Sequence, residues 1–312
     1  MILRTLTQNS ALLLLAYPLT IITIILCGWN EMSWHWGQLN EHTPWNMGWG
    51  IAIFLIVFAN GILLNSLYNN NELYVQPSYL TGWLYCFGSS VAIVQLPNLQ
   101  FWIGEFFFIL SCYFSFQIFR QKRVFHLILL SSLFGGIACL LHSIYLFIPF
   151  FISIGINLTR PFSLKETSLF IVGFFIPLVY LNAYHFSNHD GIYWMSNFGL
   201  SLQKSTPLHL QFQFWMYLSI LLLSILGLLH KDDRQTNKTQ QSKNLILLLV
   251  LIASTITISW SVWNSPLQMP LLSAPWLLIW GHYWTHYRTS LLAPIFFYLW
   301  LITCVLVFLH WL

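Results

Sequence analysis

The sequence predicts an all-α, polytopic membrane bundle, and three observations support this fold class. Charged residues make up only 6% of the 312-residue chain, whereas apolar residues make up 57%. The apolar stretches run close to the roughly 20 residues that a helix needs to cross a bilayer core about 30 Å thick. When these stretches are threaded back and forth, all of the 12 Lys and Arg residues except Lys204 fall on one side. Basic residues are retained on the cytoplasmic side, so the same pattern predicts the orientation.

Threading starts with Arg4 inside and gives about eleven membrane segments in a single integral membrane domain over residues 1–312. The predicted apolar runs, in chain order, are 10–27, 49–67, 78–95, 101–119, 124–156, 169–184, 210–229, 245–260, 267–284 and 291–312. The N-terminus is then cytoplasmic and the C-terminus periplasmic, in a bacterial inner membrane. No cleavage site of small residues follows the start, so we expect the first segment to be retained as an anchor.

The run 124–156 is predicted to be a hairpin of short, broken helices. Basic residues flank it on both sides, so it enters and leaves by the same face. Its 33 residues are too few for two full spans of roughly 20 residues each, and Gly135, Gly136 and Pro149 interrupt it. Lipid permits such segments only where neighbouring helices or a cavity satisfy the freed backbone groups.

Three polar stretches are predicted to connect the segments. An outer loop at 28–48 contains apolar residues at three- and four-residue intervals, which indicates a helix lying flat on the membrane. Those apolar positions are Trp29, Met32, Trp36 and Leu39. A second outer loop covers 185–208. A cytoplasmic loop covers 230–244 (HKDDRQTNKTQQSKN) and carries four basic residues.

Carboxylates and histidines on the predicted outer side are the candidate catalytic residues. Glu31 opens the first outer loop, and Glu105 lies about one turn from the outer end of its segment, where we expect it to reach water or the outer loops. His185, His189 and Asp190 (YHFSNHD) place two imidazoles and a carboxylate within six residues, which suits acid–base work or metal binding. The alternatives are ordinary solvated loop groups and, for Glu105, a carboxylate at the interface or one paired with a neighbouring helix.

Lys204, Trp34 and Trp36 are the candidate lipid- and phosphate-binding residues. Lys204 is the one basic residue on the predicted outer side, where it can meet a phosphate. The 16 Trp residues cluster with other aromatic residues at predicted helix ends. Both an interfacial aromatic belt and a surface that stacks on sugars or lipids fit this distribution, and composition leaves both open.

The order of these features resembles the GT-C class of membrane glycosyltransferases. The shared features are one span, an outer loop that opens with a carboxylate and contains a flat helix, and then broken hairpins. The stretch 120–160 is similar to their basic hairpin with glycine and proline, and 266–276 (PLQMPLLSAPW) is similar to their late proline-rich segment. The resemblance implies transfer from a polyprenyl-phosphate-linked sugar at the outer face, with Glu31 as base. The chain departs from the pattern at 263–265, where Trp-Asn-Ser stands in place of Arg-Tyr.

A closer resemblance is to a family of multi-pass inner-membrane proteins from Bacteroidota-type bacteria. It extends over most of the chain, through Asn30 and Glu31 after the first span, 98–123 (NLQFWIGEFFFILSCYFSFQIFRQKR), 160–166 (RPFSLKE), a helix with Pro177, and the late Ala274 and Pro275. These features contain no catalytic motif. The resemblance therefore implies a membrane location and says little about activity.

Three functions follow from the sequence. The first is a non-catalytic subunit of a cell-envelope assembly for secretion, motility, or glycan or lipid handling, because polar groups are scattered and apolar helix surface is abundant. Its partners are the lipid bilayer and other inner-membrane or envelope proteins, with no nucleic acid, no metal site and no cofactor. The second is a GT-C-type transferase, which needs a polyprenyl-phosphate-sugar donor and in that case a divalent metal. The third is a lipid or small-molecule transporter, which the lack of repeated halves and of charge along a pathway disfavours.

Overall fold

The computed structural model describes about half of the chain. The described residues are 14–27, 46–71, 78–95, 99–118, 124–142, 145, 148–159 and 163–189, with the isolated positions 244, 246, 295, 297, 298, 301, 302 and 305. Seven α-helices form within this part, and it contains no strand. The all-α class predicted from the sequence is therefore confirmed for the described residues.

The helices are numbered here in chain order. They are α1 (Ala16–Cys27), α2 (Asn46–Asn70), α3 (Leu80–Gln95), α4 (Leu99–Ile118), α5 (Phe125–Leu141), α6 (Ile148–Thr159) and α7 (Leu164–His189). Their positions follow the predicted runs closely up to residue 189. The core of a bilayer contains no water that could form hydrogen bonds with the backbone N–H and C=O groups of these long apolar stretches. A helix satisfies those groups within the segment.

Three of the helices are long and apolar enough to cross a bilayer. These stretches are Gly50–Asn70 in α2, Leu99–Ile118 in α4 and Leu164–Tyr184 in α7. The chain is accordingly a membrane protein, and its apolar helices suit association with lipid. The predicted segments after residue 189 lie almost entirely outside the described residues. The number of about eleven segments and the GT-C-like arrangement therefore stay predictions.

Neighbouring helices pack in the order α1, α3, α2, α4, α5, α7. The most extensive contacts are those of α5, which packs against α4 on one side and against α7 on the other. In contrast, α2 lies between α3 and α4, and α1 packs mainly on α3. Phe297, a later helical position, packs against α3 with its ring centroid 6.2 Å from that of Trp83. The buried core thus runs through α4 and its neighbours, and only one flank of α7 is covered.

Serine residues join α4 to α5 at close range. The Ser111 hydroxyl donates to the carbonyl of Ser131 at 2.8 Å, and the Ser131 hydroxyl donates to the carbonyl of Ser111 at 3.0 Å. The Ser115 and Ser131 hydroxyls are 2.6 Å apart, so a further hydrogen bond links the helices. Small residues of this kind let membrane helices approach closely.

The run 124–156 forms two helices, but the glycines do not interrupt it as the sequence suggests. Gly135 and Gly136 lie inside α5, where they are buried. A Cβ atom at Gly136 would meet the carbonyl oxygen of Phe174 and would lie 3.1 Å from Cγ of Pro177. These glycines therefore make room for neighbouring elements and do not end the helix. The break comes later, between Leu141 and Ile148, and Pro149 stands in the first turn of α6, where its missing N–H is no loss.

Two loop boundaries also differ from the predicted ones. Helix α7 continues to His189, so residues 185–189 of the predicted outer loop are helical. Helix α2 begins at Asn46, inside the last residues predicted for the loop 28–48. The rest of that loop, including its flat helix, lies outside the described residues, as does the cytoplasmic loop 230–244 except for the helical Asn244.

Candidate functional site

Glu105 is the predicted candidate residue whose surroundings the structure describes. It lies in α4 with a relative exposure of 1%. We expected it to reach water or the outer loops, because it lies near a predicted helix end. The structure instead buries it between helices.

The face of α4 that carries Glu105 is covered by Tyr145, from the break between α5 and α6. Phe101 and Phe108 share that face, since they stand four residues before and three after Glu105, and Gly104 is the position next to it. The Tyr145 ring stacks on Phe101 and Phe108, with centroids 6.1 Å and 5.6 Å apart. A Cβ atom at Gly104 would lie 2.9 Å from Cε2 of Tyr145. The absence of a side chain at Gly104 therefore admits the tyrosine ring beside Glu105.

The break itself is held by local hydrogen bonds. The backbone N–H of His142 donates to the carbonyl of Ala138 at 3.0 Å, and that of Tyr145 donates to the carbonyl of His142 at 3.1 Å. The Cys139 thiol lies 3.1 Å from the carbonyl oxygen of Tyr145. The His142 ring meets Tyr145 edge-on, with centroids 6.2 Å apart. These contacts fix Tyr145 relative to the end of α5.

Helices α2 and α3 contribute the remaining polar groups. Asn60 on α2 donates from Nδ2 to the phenol oxygen of Tyr85 on α3 at 3.1 Å. Ser89 follows Tyr85 by one turn on the same face of α3, and its hydroxyl lies beside that phenol. Both phenols, those of Tyr85 and Tyr145, lie close enough to Glu105 to interact electrostatically with its carboxylate. Three helices and the break thus converge on one buried place.

We refer to this group as the Glu105 cluster, and it has five members. They are Asn60, Tyr85, Ser89, Glu105 and Tyr145, with relative exposures of 0%, 0%, 0%, 1% and 0%. Every polar group in the cluster other than the Asn60 amide nitrogen is an oxygen. Among the described residues, the other titratable groups nearby are His142 and Cys139 beside Tyr145, and Cys86 beside Tyr85. A buried, oxygen-rich group with one carboxylate suits the binding of a positive charge.

Two buried oxygen atoms of the cluster make no hydrogen bond to any described residue. They are Oδ1 of Asn60 and the phenol oxygen of Tyr145. Buried polar atoms in folded proteins nearly always have a partner. These oxygen atoms are therefore available to a bound ligand.

The other predicted site residues are not brought together in the described part of the chain. His185 and His189 lie in the last turns of α7. The remaining candidates, Glu31, Trp34, Trp36, Asp190 and Lys204, lie outside the described residues. Their assignment to catalysis or to lipid and phosphate binding stays a prediction.

Metal ligands of the usual transition-metal kinds do not cluster in the part of the chain that is described. No group of three or more His, Cys, Asp or Glu residues occurs there. The Glu105 cluster contains a single carboxylate and no imidazole, so it lacks the nitrogen and sulfur ligands that zinc takes.

Sequence reasoning identified Glu105 but missed its neighbours. Asn60 interrupts an apolar run, which is a usable sign of a buried polar contact. Tyr85 and Tyr145 carried no such sign, because tyrosine at a membrane helix end is read as an interfacial anchor.

Comparison of the chain with protein-family models, with curated proteins and with solved structures gave no match. The resemblances to GT-C enzymes and to the Bacteroidota-type family accordingly stay predictions.

Proposed function

We propose that this chain is a membrane transport protein coupled to a proton or a small monovalent cation, which binds at Glu105. The observation that supports the proposal is the burial of Glu105, with 1% exposure, in a helix long enough to cross a membrane. An ionisable group at membrane depth is expensive and marks ion pathways and proton relays.

The depth of Glu105 supports an ion-binding role. Glu105 stands six residues after Leu99, the first residue of α4. At about 1.5 Å per residue, this places it about 9 Å along the helix axis. If α4 enters a bilayer core about 30 Å thick at Leu99, Glu105 lies roughly a third of the way across. An ion held there is neither at the surface nor in free contact with lipid.

The break between α5 and α6 supports the same role. A Cβ atom at Gly104 would lie 3.5 Å from Cβ of Leu141, the last residue of α5. The C-terminal end of α5 therefore contacts α4 directly beside Glu105. A helix C-terminus carries partial negative charge and favours cations nearby. Transporters place their coupling ions at such interrupted helices.

The role of general base in a transferase fits Glu105 less well. A general base must lie within hydrogen-bond reach of the proton that it removes. Glu105 is only 1% exposed, and Tyr145 packs on its face of α4. A transferase would therefore rely on Glu31 instead. That function, with its polyprenyl-phosphate-sugar donor and divalent metal, stays a prediction.

The expectation of a non-catalytic subunit of an inner-membrane, cell-envelope assembly also stays a prediction. It was based on polar groups that look scattered along the sequence. In the described helices, five of these groups instead meet in the Glu105 cluster. A transport protein can still work within such an assembly, so partner proteins remain part of the proposal.

Charge movement in reconstituted membranes tests the transport proposal. The purified chain is placed in liposomes adsorbed to a solid-supported membrane, and the capacitive current is recorded after a pH step or a step from choline chloride to NaCl. We expect a transient current in the wild type, because the coupling ion enters the membrane to reach Glu105. Glu105→Gln keeps the side chain's shape but not its charge, so the current should disappear.

Glu166→Gln is the matched control, since Glu166 is the other buried glutamate in the described residues, at 7% exposure in the first turn of α7. Its current should equal that of the wild type. A current in Glu105→Gln equal to the wild-type current would refute the proposal, provided that both proteins elute and unfold alike.

A further inference from the structure

We infer that the Glu105 cluster binds a dehydrated sodium ion, held by oxygen atoms of Asn60, Ser89, Glu105 and Tyr145. This inference rests on the proposed function and deepens it, because it assigns the coupling ion.

The first argument is the supply of ligand oxygens. Oδ1 of Asn60 and the Tyr145 phenol are fully buried, and neither makes a hydrogen bond to a described residue. Leaving such an atom buried and unsatisfied costs about 1–3 kcal/mol. A cation that accepts their lone pairs removes this cost for both, and the buried Ser89 hydroxyl beside Tyr85 supplies a further oxygen.

The second argument is that these oxygens are held in place before any ion arrives. Asn60 is oriented by the bond from its Nδ2 to Tyr85, at 3.1 Å. Tyr145 is fixed by stacking on Phe108, at 5.6 Å, and by the close approach of Gly104. Ser89 lies on a helix, beside Tyr85. Protein groups that are already held in place lose little conformational freedom when an ion binds, so ordering them does not weaken the binding.

The third argument is charge. The cluster contains one carboxylate, that of Glu105, next to the negative end of α5. One carboxylate with neutral oxygens matches a single positive charge. Sites for divalent Ca²⁺ provide roughly 6–8 oxygen ligands, and several of these usually come from carboxylates. The chemistry of the cluster therefore points to a monovalent cation that prefers oxygen, and sodium in membrane proteins is bound in this way at interrupted helices.

Carbodiimide labelling tests the inference. Dicyclohexylcarbodiimide enters membranes and forms an adduct with protonated, buried carboxyl groups, and mass spectrometry of the Glu105 peptide measures the adduct. At a fixed pH, we expect NaCl to protect Glu105 in the wild type, whereas choline chloride at the same ionic strength should not. Sodium and the reagent compete for the same carboxyl group.

Two serine variants sharpen this test. Ser89→Ala removes a proposed ligand, so half-protection should need about tenfold more NaCl, which corresponds to about 1.4 kcal/mol. Ser90→Ala is the matched control, because Ser90 is equally buried on α3 but donates to the carbonyl of Phe87 in its own helix, at 2.8 Å. It should leave the protection unchanged.

The outcomes separate the inference from the proposed function. If Glu105 is labelled, and labelling falls as pH rises but not with NaCl, the site binds only protons. The sodium inference is then wrong and proton-coupled transport stands. If NaCl protects the wild type and Ser89→Ala equally well, Ser89 is not a ligand and the proposed site is wrong.

A second readout does not depend on access of the reagent. NaCl should raise the unfolding temperature of the detergent-solubilised wild type above its value in choline chloride, because a ligand that binds only the folded state stabilises it. Glu105→Gln should show no such rise. An equal rise in both proteins would overturn the inference.

Discussion

Substitution of Gly136 by valine tests a close contact between two of the described helices. Gly136 on α5 faces the backbone of α7, where a Cβ atom would meet the carbonyl oxygen of Phe174 and would come within 3.1 Å of Pro177. The obstacle is backbone and a rigid ring, so no flexible side chain can move aside. Gly173 on α7 is equally tight, since a Cβ atom there would meet the Ser132 hydroxyl and lie 3.2 Å from the carbonyl oxygen of Leu129.

The expected magnitude follows from overpacking. Extra methyl groups in a packed interior cost about 1–3 kcal/mol. Valine adds three carbons against backbone, so we expect a loss of about 2–3 kcal/mol, at the upper end of that range. A loss of 1 kcal/mol lowers the unfolding temperature by about 2–4 °C in a chain of this size class, so the expected decrease is roughly 4–12 °C.

Thermal unfolding of the purified protein in mild detergent measures this decrease. Ala183→Val is the matched control, since Ala183 is exposed on α7. Its unfolding temperature should stay at the wild-type value. If Gly136→Val also unfolds at that value, α5 and α7 are not in close contact and the packing order described above is wrong.

Three further predictions use the same assay. Tyr145→Phe removes a buried hydroxyl that has no hydrogen bond to a described residue, so stability in choline chloride should be unchanged or higher, by up to about 1–3 kcal/mol; a clear decrease would show that the hydroxyl is already satisfied. Ser131→Ala removes two contacts between α4 and α5, at 3.0 Å and 2.6 Å. At about 0.6 kcal/mol each, the loss should be about 1 kcal/mol, and no loss would argue against the serine contacts. Ile128 is buried, with 0% exposure, so Ile128→Ala should lower the free energy of unfolding by about 2–5 kcal/mol. Val179 is 63% exposed, so Val179→Ala should lower it by less than about 0.5 kcal/mol. Equal losses in the two variants would contradict the assignment of Ile128 to a buried face of α5 and of Val179 to an exposed face of α7.

Hydropathy and chain length were sufficient to place the long helices. Gly50–Asn70, Leu99–Ile118 and Leu164–Tyr184 are predominantly apolar, and a backbone in lipid has no alternative to the helix for such a length. The break in 124–156 was also predictable, because the run is too short for two full spans and too long for one.

The glycines show where this kind of reasoning fails. A glycine in a helical pattern indicates either a break or a close approach, and the sequence alone does not distinguish the two. Gly136 has a neighbour only because α7, more than 25 residues later, packs on it. The helix boundary at His189 was missed for a related reason, since polar residues at a helix end are typical of loops as well.

The candidate site was predictable only in its carboxylate. Glu105 is conspicuous in an apolar run, but its partners are far away in sequence. Asn60 lies 45 positions before it and Tyr145 lies 40 positions after it. Helix packing brings them together, and no local pattern encodes that contact.

Infrared difference spectroscopy tests most directly whether Glu105 is a buried, ion-binding carboxyl group. Spectra of the purified chain at low and high pH, without sodium, are subtracted for the wild type, Glu105→Gln and Glu166→Gln. We expect a C=O band of a protonated carboxylic acid in apolar surroundings that is present in the wild type and in Glu166→Gln and missing in Glu105→Gln. A band of equal intensity in Glu105→Gln would contradict the account, and so would its absence from the wild type.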